Sequence, residues 1–449
     1  MQLDQTRRRF LAGSVTAGVV AVAGCTGDGE DEDEDGVEFD YDIDPGLEEG
    51  DGSYELWALD QGRDDIFVYE PGVDGDGFAL TNYLDLNDLE GIPEENVVPH
   101  MLDYSSDYEY AAVACTAGGR TLVFRTEDHE LVADIDTGDG SHMAAFSPED
   151  DYIHVDAINE SAIVRVDTDL ENETFEVVDE IDLRENETVL EAGIESGDPI
   201  CHQYAPDGRS LHTLGPSYHD GALVIVDHDD FSVDRAIPHE TLPTNCGTMP
   251  QPNGDDFYLT AGLPSSDEDG VGEYYVYDTD ADEVVVDGES TAGVDAHGFW
   301  FTPDGEELWV LNRETNDGVV VDPETHDVVE TIDEFGPATS ADPSERDAPD
   351  IMWASPDGEY MFVTLRGPAP LSGDPHASTG VTPGISVLDV DSREIVDVIE
   401  PYPIDEFDDD HVELAQDPEE DGPRVPDFHG IGVRPLEEFE TGIDTSPPF

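Results

Sequence analysis

One phrase recurs along this chain and its last copy is left unfinished. His297-Gly-Phe-Trp-Phe-Thr-Pro-Asp-Gly305 opens a unit of four short strands, whereas its counterpart His429-Gly-Ile-Gly-Val-Arg-Pro435 stands near the C-terminus with no unit after it. An opener without a unit is what a closed ring leaves behind when the N-terminal segment completes the final sheet.

The unit beginning at His297 sets the frame. Residues 298–302 are apolar, Pro303-Asp304-Gly305 turns, and residues 307–311 form a second strand. A third strand at 318–321, a turn at 322–325 and a fourth strand at 327–332 complete it. Other copies are located by the turn proline at Pro148, Pro206, Pro252 and Pro356, with a proline-less copy at His100 and Ser105-Ser106-Asp107. Third and fourth strands recur at 121–135, 162–181, 222–237, 273–286 and 384–399. Near the N-terminus, 54–59, 65–69 and 79–86 read as second, third and fourth strands that lack a first. The chain is therefore expected to be all-β, a seven-bladed β-propeller of four-stranded antiparallel blades spanning 51–436, with a tail at 437–449.

The repeat also carries a resemblance. Phe301-Thr-Pro-Asp-Gly-Glu-Glu-Leu-Trp-Val-Leu-Asn312, followed by Val319-Val-Val-Asp-Pro-Glu-Thr-His-Asp-Val-Val-Glu-Thr-Ile332, resembles the repeat of the YVTN-type propeller family. The likeness covers nearly everything after Asp51. It implies a propeller and a surface role, but no particular chemistry, because one fold hosts many functions.

Charge narrows the setting. The formal net charge is -96, from 112 acidic and 16 basic residues, every basic one being Arg. A compact body with that charge repels itself unless dense counterions shorten the range of the repulsion, which points to a halophile. Nucleic acid is excluded as a partner, since phosphate binding requires clustered positive charge.

Residues 1–25 read as an address. Thr6-Arg7-Arg8-Arg9-Phe10-Leu11 resembles a twin-arginine export motif, and an apolar run of small residues leads to Val22-Ala23-Gly24-Cys25, which resembles a lipobox. That resemblance implies a lipid on Cys25 and tethering to the outer face of the cytoplasmic membrane. Residues 26–50 include Glu30-Asp-Glu-Asp-Glu-Asp35 and read as a solvated acidic linker. Asn159, Asn172 and Asn186 sit in glycosylation sequons, which suits an exported chain.

The candidate site follows from the frame. Innermost strands line the channel of a propeller, so their first residues converge on one mouth. Six residues before each turn proline stand His142, Ile200, Cys246, His297, Asp350 and His429, and His100 matches in the proline-less copy. At Ile200 the strand period of two brings in His202 instead. Five imidazoles, a thiol and a carboxylate would then circle the opening, a set competent for copper or zinc more than calcium. The arrangement is similar to that of the nitrous oxide reductase family, whose propeller histidines hold a copper cluster. Cys246, Asp350 and the absence of a cupredoxin-like domain depart from that pattern, so its activity is not carried over. An alternative for the same residues is structural, each imidazole pinning a neighbouring blade's backbone.

Further features point at the same mouth. Arg313 and Arg366 each lie ten residues beyond their turn proline, at the end of a second strand. They suit an anionic small molecule, a glycan or a surface protein, unless they pair with the abundant carboxylates. Long loops bring His376 and His219 to that end. Cys115, Cys201 and Cys246 remain after Cys25, leaving both a Cys201–Cys246 disulfide and a metal-bound thiol open. Two functions stand: a tethered, monomeric ligand-binding or interaction module, or a copper-like oxidoreductase using the blade-start ring.

Overall fold

The structure, a computed structural model, describes residues 45–439 apart from 74, 76, 90, 93–96, 195–196, 216–220, 253, 267–269 and 402–424. The export motif, Cys25, most of the acidic linker and His219 lie outside the described residues.

Seven four-stranded antiparallel sheets form a ring of blades. Blade 1 joins the chain ends: its innermost strand is Phe428–Pro435, followed outward by Tyr54–Asp60, Asp65–Pro71 and Phe78–Asp85. The orphan opener at His429 is thus completed by the N-terminal segment, with Tyr54 opposite Pro435 and Trp57 opposite Gly432. The innermost strands of blades 2 to 7 are Pro99–Tyr104, Ser141–Phe146, Pro199–Tyr204, Thr248–Pro250, Ala296–Phe301 and Pro349–Ala354.

Burial grades from axis to rim, as the composition of the strands requires. The second strand Leu308–Asn312 is buried throughout, while the outermost Thr174–Asp182 and Glu283–Ser290 are mostly exposed. Those outer strands hold Glu176, Asp179, Glu180, Glu283 and Asp287 in solvent, so the acidic excess coats the rim and leaves the inter-blade core apolar. Asn159 and Asn172 are exposed, whereas Asn186 caps a short helix α1 (Glu187–Glu191) by accepting from Thr188 N and Val189 N. The helix lies between blades 3 and 4 and was not anticipated from the repeat.

The body starts earlier than the linker boundary at residue 50. Glu48 N donates to Leu80 O, and Gly50 bridges Gly72 at the rim of blade 1. At the other end Leu436 N donates to Ser53 O and Phe439 packs edge-on against Tyr54, so the first tail residues belong to the propeller.

Candidate metal centre at the end of the channel

A bulge opens the innermost strands of blades 1, 2, 3, 4, 6 and 7. In blade 2, for example, Pro99 pairs with Cys115 and Met101 with Ala114, leaving His100 as the extra residue. A bulge sets two residues of one strand against one of its partner and re-aims their side chains. This is the device that turns the blade-start residues onto the axis.

The recurring His-Gly has a physical reason as well. A Cβ on Gly298 would meet Asp350 O at 2.3 Å, and one on Gly430 would meet His100 O at 2.4 Å. Those two carbonyls are the acceptors for His297 Nδ1 (3.1 Å) and His429 Nδ1 (3.0 Å). Glycine lets the next blade's backbone approach, and the preceding histidine binds it. For these two positions the pinning role holds, and it leaves each Nε2 facing the axis.

The blade-start side chains close into a continuous ring. His429 stacks on His100 with ring centroids 3.7 Å apart, and His100 Nε2 meets His142 Nε2 at 2.9 Å. His142 Nδ1 lies 3.7 Å from Cys201 Sγ, which lies 2.6 Å from Cys246 Sγ. Cys246 is hydrogen-bonded to His297, His297 Nδ1 lies 2.9 Å from Asp350 Oδ1, and Asp350 Oδ2 lies 3.5 Å from His429 Nε2.

One expected member is replaced. His202 does not reach the ring; Cys201 does. The bulge between Pro199 and His202 breaks the strict alternation that assigned His202 to the face of Ile200. Ile200 packs with Cys201, Cys246 and Ile158, and His202 turns into the seam with blade 3. There its Nδ1 lies 2.6 Å from Asp156 Oδ2, while His212 Nδ1 lies 2.6 Å from Asp156 Oδ1.

The ring has two chemically distinct halves. On one side sits Asp350, with Arg366 Nη1 at 2.6 Å, Arg313 Nη1 at 3.3 Å and His297 beside it. Burial would raise the Asp350 pKa, but the charges of His297, His429, Arg366 and Arg313 hold it well below the usual carboxylate range. Burial and Arg313 push His297 down, yet Asp350 and Cys246 prevail and raise it to about 9. On the other side one ligand atom each from His142, Cys201 and Cys246 lie within 4.8 Å of one another. The hydrogen bond from Cys201, reinforced by His297, holds the Cys246 thiol well below its ordinary range, while burial pushes Cys201 up. One thiolate beside one thiol and an imidazole is a soft donor set.

The two arginines do not offer a free cationic spot. Arg366 is fully buried and forks onto Asp427 at 2.8 and 2.9 Å while its third nitrogen binds Asp350. Arg313, 3% exposed, binds Asp295 at 2.8 Å in addition to Asp350. Abundant carboxylates near the axis take up both guanidinium groups, so the anion-binding reading of Arg313 and Arg366 is corrected to internal pairing. Arg366 Nη2 also donates to Ser372 O, and Leu371 N to Asp427, which fastens the long loop after Gly367 over the mouth. His376 on that loop is partly exposed and meets Ser265 Oγ and Glu314 Oε1, each at 3.2 Å.

A chain of hydrogen bonds sets the protons of His100 and His142. Gln61 Nε2 donates to Asp427 Oδ2 at 2.7 Å, so its Oε1 accepts from His100 Nδ1 at 2.9 Å. Burial drives His100 and His142 towards the neutral form. A neutral His100 with its proton on Nδ1 must accept at Nε2, which places a His142 proton on Nε2; the His142 ring also meets the Ile200 backbone, and its Nδ1 lies 3.7 Å from Cys201 Sγ.

Sequence reasoning left Cys201 out of the ring and missed Gln61, Asp295 and Asp427. Asp295 and Asp427 each stand two residues before a blade-start histidine, and Gln61 follows the end of its second strand as Arg313 and Arg366 do. Those positions carry a signal in the frame. Below the ring the channel holds a cavity of about 70 Å³, walled largely by Met101, Met143, Met249, Met352, Trp300 and Trp353.

No family model and no curated protein matches the chain, so the YVTN-type resemblance has no independent support. Among solved structures the chain is similar to Kuenenia stuttgartiensis hydrazine synthase, at 14% identity over 68% of this chain and 80% of that one, with a TM-score of 0.48. It is also similar to the dihydro-heme d1 dehydrogenase NirN in complex with DHE, at 12% identity over 86% of this chain and 76% of that one, with a TM-score of 0.49. The seven blades rest on the sheet topology of this chain itself.

Proposed function

We propose that this protein is an exported binding module, tethered through Cys25, whose ligand is one soft or borderline transition metal ion of the copper and zinc class held at the channel end. The observation that carries the reading is the convergence of Cys201, Cys246 and His142 within 4.8 Å on one arc of the ring. His297 is the fourth candidate donor once an ion displaces its Nε2 proton, because its Nδ1 is tied to Asp350 in the carboxylate–histidine pattern that orients metal-bound imidazoles. Two thiols and two imidazoles suit a closed four-coordinate site, which favours holding the ion over opening a position for chemistry. The methionine-walled cavity that Cys201 and Cys246 also line adds soft thioethers beside the site.

The test is elemental analysis and cobalt titration of protein purified in molar salt. One equivalent of metal more than in the Cys201→Ser, Cys246→Ser variant, with a sulfur-to-cobalt charge-transfer band that the variant lacks, is the expected result. Substoichiometric metal that is the same in the serine variant would end the proposal. Tethering is checked separately by Cys25→Ser, which should move the protein from the membrane fraction to the medium.

A further inference from the structure

The methionines of this chain are gathered in one place. Of the six in the sequence, Met101, Met143, Met249 and Met352 line the cavity of about 70 Å³ behind the blade-start ring. They come from the innermost strands of four different blades. Met101 and Met143 directly follow His100 and His142, Met352 lies two residues after Asp350, and Met249 lies three after Cys246. Met143, Met249 and Met352 are buried, and Met101 packs against the small cluster built on Met143.

Packing alone does not ask for this. A buried methionine gives up about 1.5–2 kcal/mol of rotamer freedom, against about 0.5–1 for leucine or isoleucine, and its flexible chain specifies a core poorly. The rest of the core is accordingly built mostly from Val, Leu, Ile, Ala and aromatic side chains, and Met361 is the one other methionine among the described residues. What the four channel residues have in common is a thioether sulfur, brought to a cavity that Cys201 and Cys246 also line.

The size and polarity of the chamber narrow what it holds. Pockets for organic ligands run to about 300–1,000 Å³, so a cavity of about 70 Å³ admits an ion or a few atoms. Gln203 lines it too, and Gln203 Oε1 is buried with no hydrogen-bond partner among the described residues. An unmet acceptor favours a cation over a hydrocarbon or a gas atom. The cost of burying an ion grows with the square of its charge, so walls of thioether and indole accept a monovalent cation more readily than a divalent one. Thioethers are also poor donors for zinc, calcium or magnesium and good ones for cuprous copper.

We propose that Met101, Met143, Met249 and Met352 form a site for one cuprous ion, separate from the ion of the ring and one layer further along the channel. Three rotatable bonds in each side chain let the sulfurs adjust to the ion while the strands stay fixed. The site extends the metal reading of the channel but uses none of the ring's ligands, so the two stand or fall separately.

The test uses full-length protein with Cys201→Ser and Cys246→Ser, so that the channel thiols are silent, in molar potassium acetate because chloride would precipitate silver. Silver(I), an air-stable stand-in for cuprous copper, should bind with one equivalent that a large excess of zinc does not displace. Adding Met101→Leu, Met143→Leu, Met249→Leu and Met352→Leu, which nearly conserve volume, should weaken that equivalent about a hundredfold or more. Equal binding in the leucine protein, or displacement by zinc, would overturn the proposal. Wild-type protein gives a reading that does not depend on the variants folding. With silver in excess of the thiols, or cuprous copper supplied under argon as its acetonitrile complex, the methyl carbon signals of these four methionines should move while that of Met361 stays. Unmoved signals, as an empty or water-filled cavity would give, would also overturn it. Failure of the ring site alone would look different: wild type would lack the sulfur-to-cobalt band while the serine variant kept its zinc-resistant silver.

Discussion

Arg434 Nε donates to Glu55 Oε2 at 2.7 Å across the strand pair that closes the ring, and the two residues stand directly opposite each other in register. Arg434 Nη2 also reaches Thr126 O in blade 2, while Glu55 receives Trp57 Nε1 at 2.8 Å and meets His129 at 3.2 Å. One buried ion pair thus fastens the C-terminal strand to the N-terminal segment and both to the next blade. Arg434→Ala leaves the Glu55 carboxylate buried with its main cation gone, so stability should fall by about 3–5 kcal/mol. Equilibrium denaturation in molar salt measures it, and a change under about 1 kcal/mol would show that closure rests on the apolar strand pairing instead.

The same pair sets an acid limit. Burial would raise the Glu55 pKa, but the hydrogen bonds of His129 and Arg434 bring it from 4.5 down to about 2. A depressed carboxylate contributes stability that is fully present above its unfolded value and lost as pH falls through the folded one. The contribution should therefore be whole above about pH 4.5 and vanish towards pH 2, amounting to roughly 3 kcal/mol. Subtracting the unfolding free energy of Glu55→Gln from that of wild type across this window isolates it. A flat difference would show that the carboxylate is not the titrating group.

Asp350 is the carboxylate of the ring, with Arg366, Arg313 and His297 all upon it. Asp350→Asn leaves buried guanidinium groups undercompensated and should cost about 3 kcal/mol or more. It should also lower the pKa of His297, which Asp350 helps raise to about 9. Thermal unfolding and histidine proton NMR titration check the two effects. If His297 kept its pKa in the variant, the charge assignment within the ring would be wrong.

Salt should govern stability through the rim. With -96 formal charges and exposed acidic outer strands, self-repulsion is screened only weakly where the Debye length is about 10 Å, near 0.1 M, and strongly where it is about 3 Å, near 1 M. The melting temperature should fall steeply between those concentrations, and an uncharged osmolyte at equal osmolality should not restore it. Equal protection by salt and osmolyte would locate the effect in hydration, not charge.

The ring of blades was legible because each blade repeats one local pattern, and a repeat survives many individual errors. His429 with Tyr54 to Leu59 was enough to close it. The site was legible only in part. His100, His142, Cys246, His297, Asp350 and His429 converge as the frame implies, since a blade start has one place to go. His202 left the ring because a bulge, invisible to period-two counting, gave its place to Cys201. The fate of Arg313 and Arg366 was hidden for a different reason: their partners Asp295 and Asp427 are two among many carboxylates, and composition cannot say which ones are buried.

Gln61 gives the most direct test of how the ring is set. It neither touches Cys201 nor bears charge, yet its amide, held by Asp427, fixes the proton of His100 and through it the Nε2 proton of His142. Gln61→Leu removes the acceptor while leaving both thiols and His297 in place. His100 can then carry its proton on Nε2, His142 takes the other tautomer, and its Nδ1 ceases to be a ligand. Cobalt affinity at the channel site should fall about 10- to 100-fold, the range expected for loss of an outer-shell partner, with the charge-transfer band weakened in proportion. Unchanged affinity in a folded Gln61→Leu protein would mean that the two cysteines and His297 hold the ion without His142.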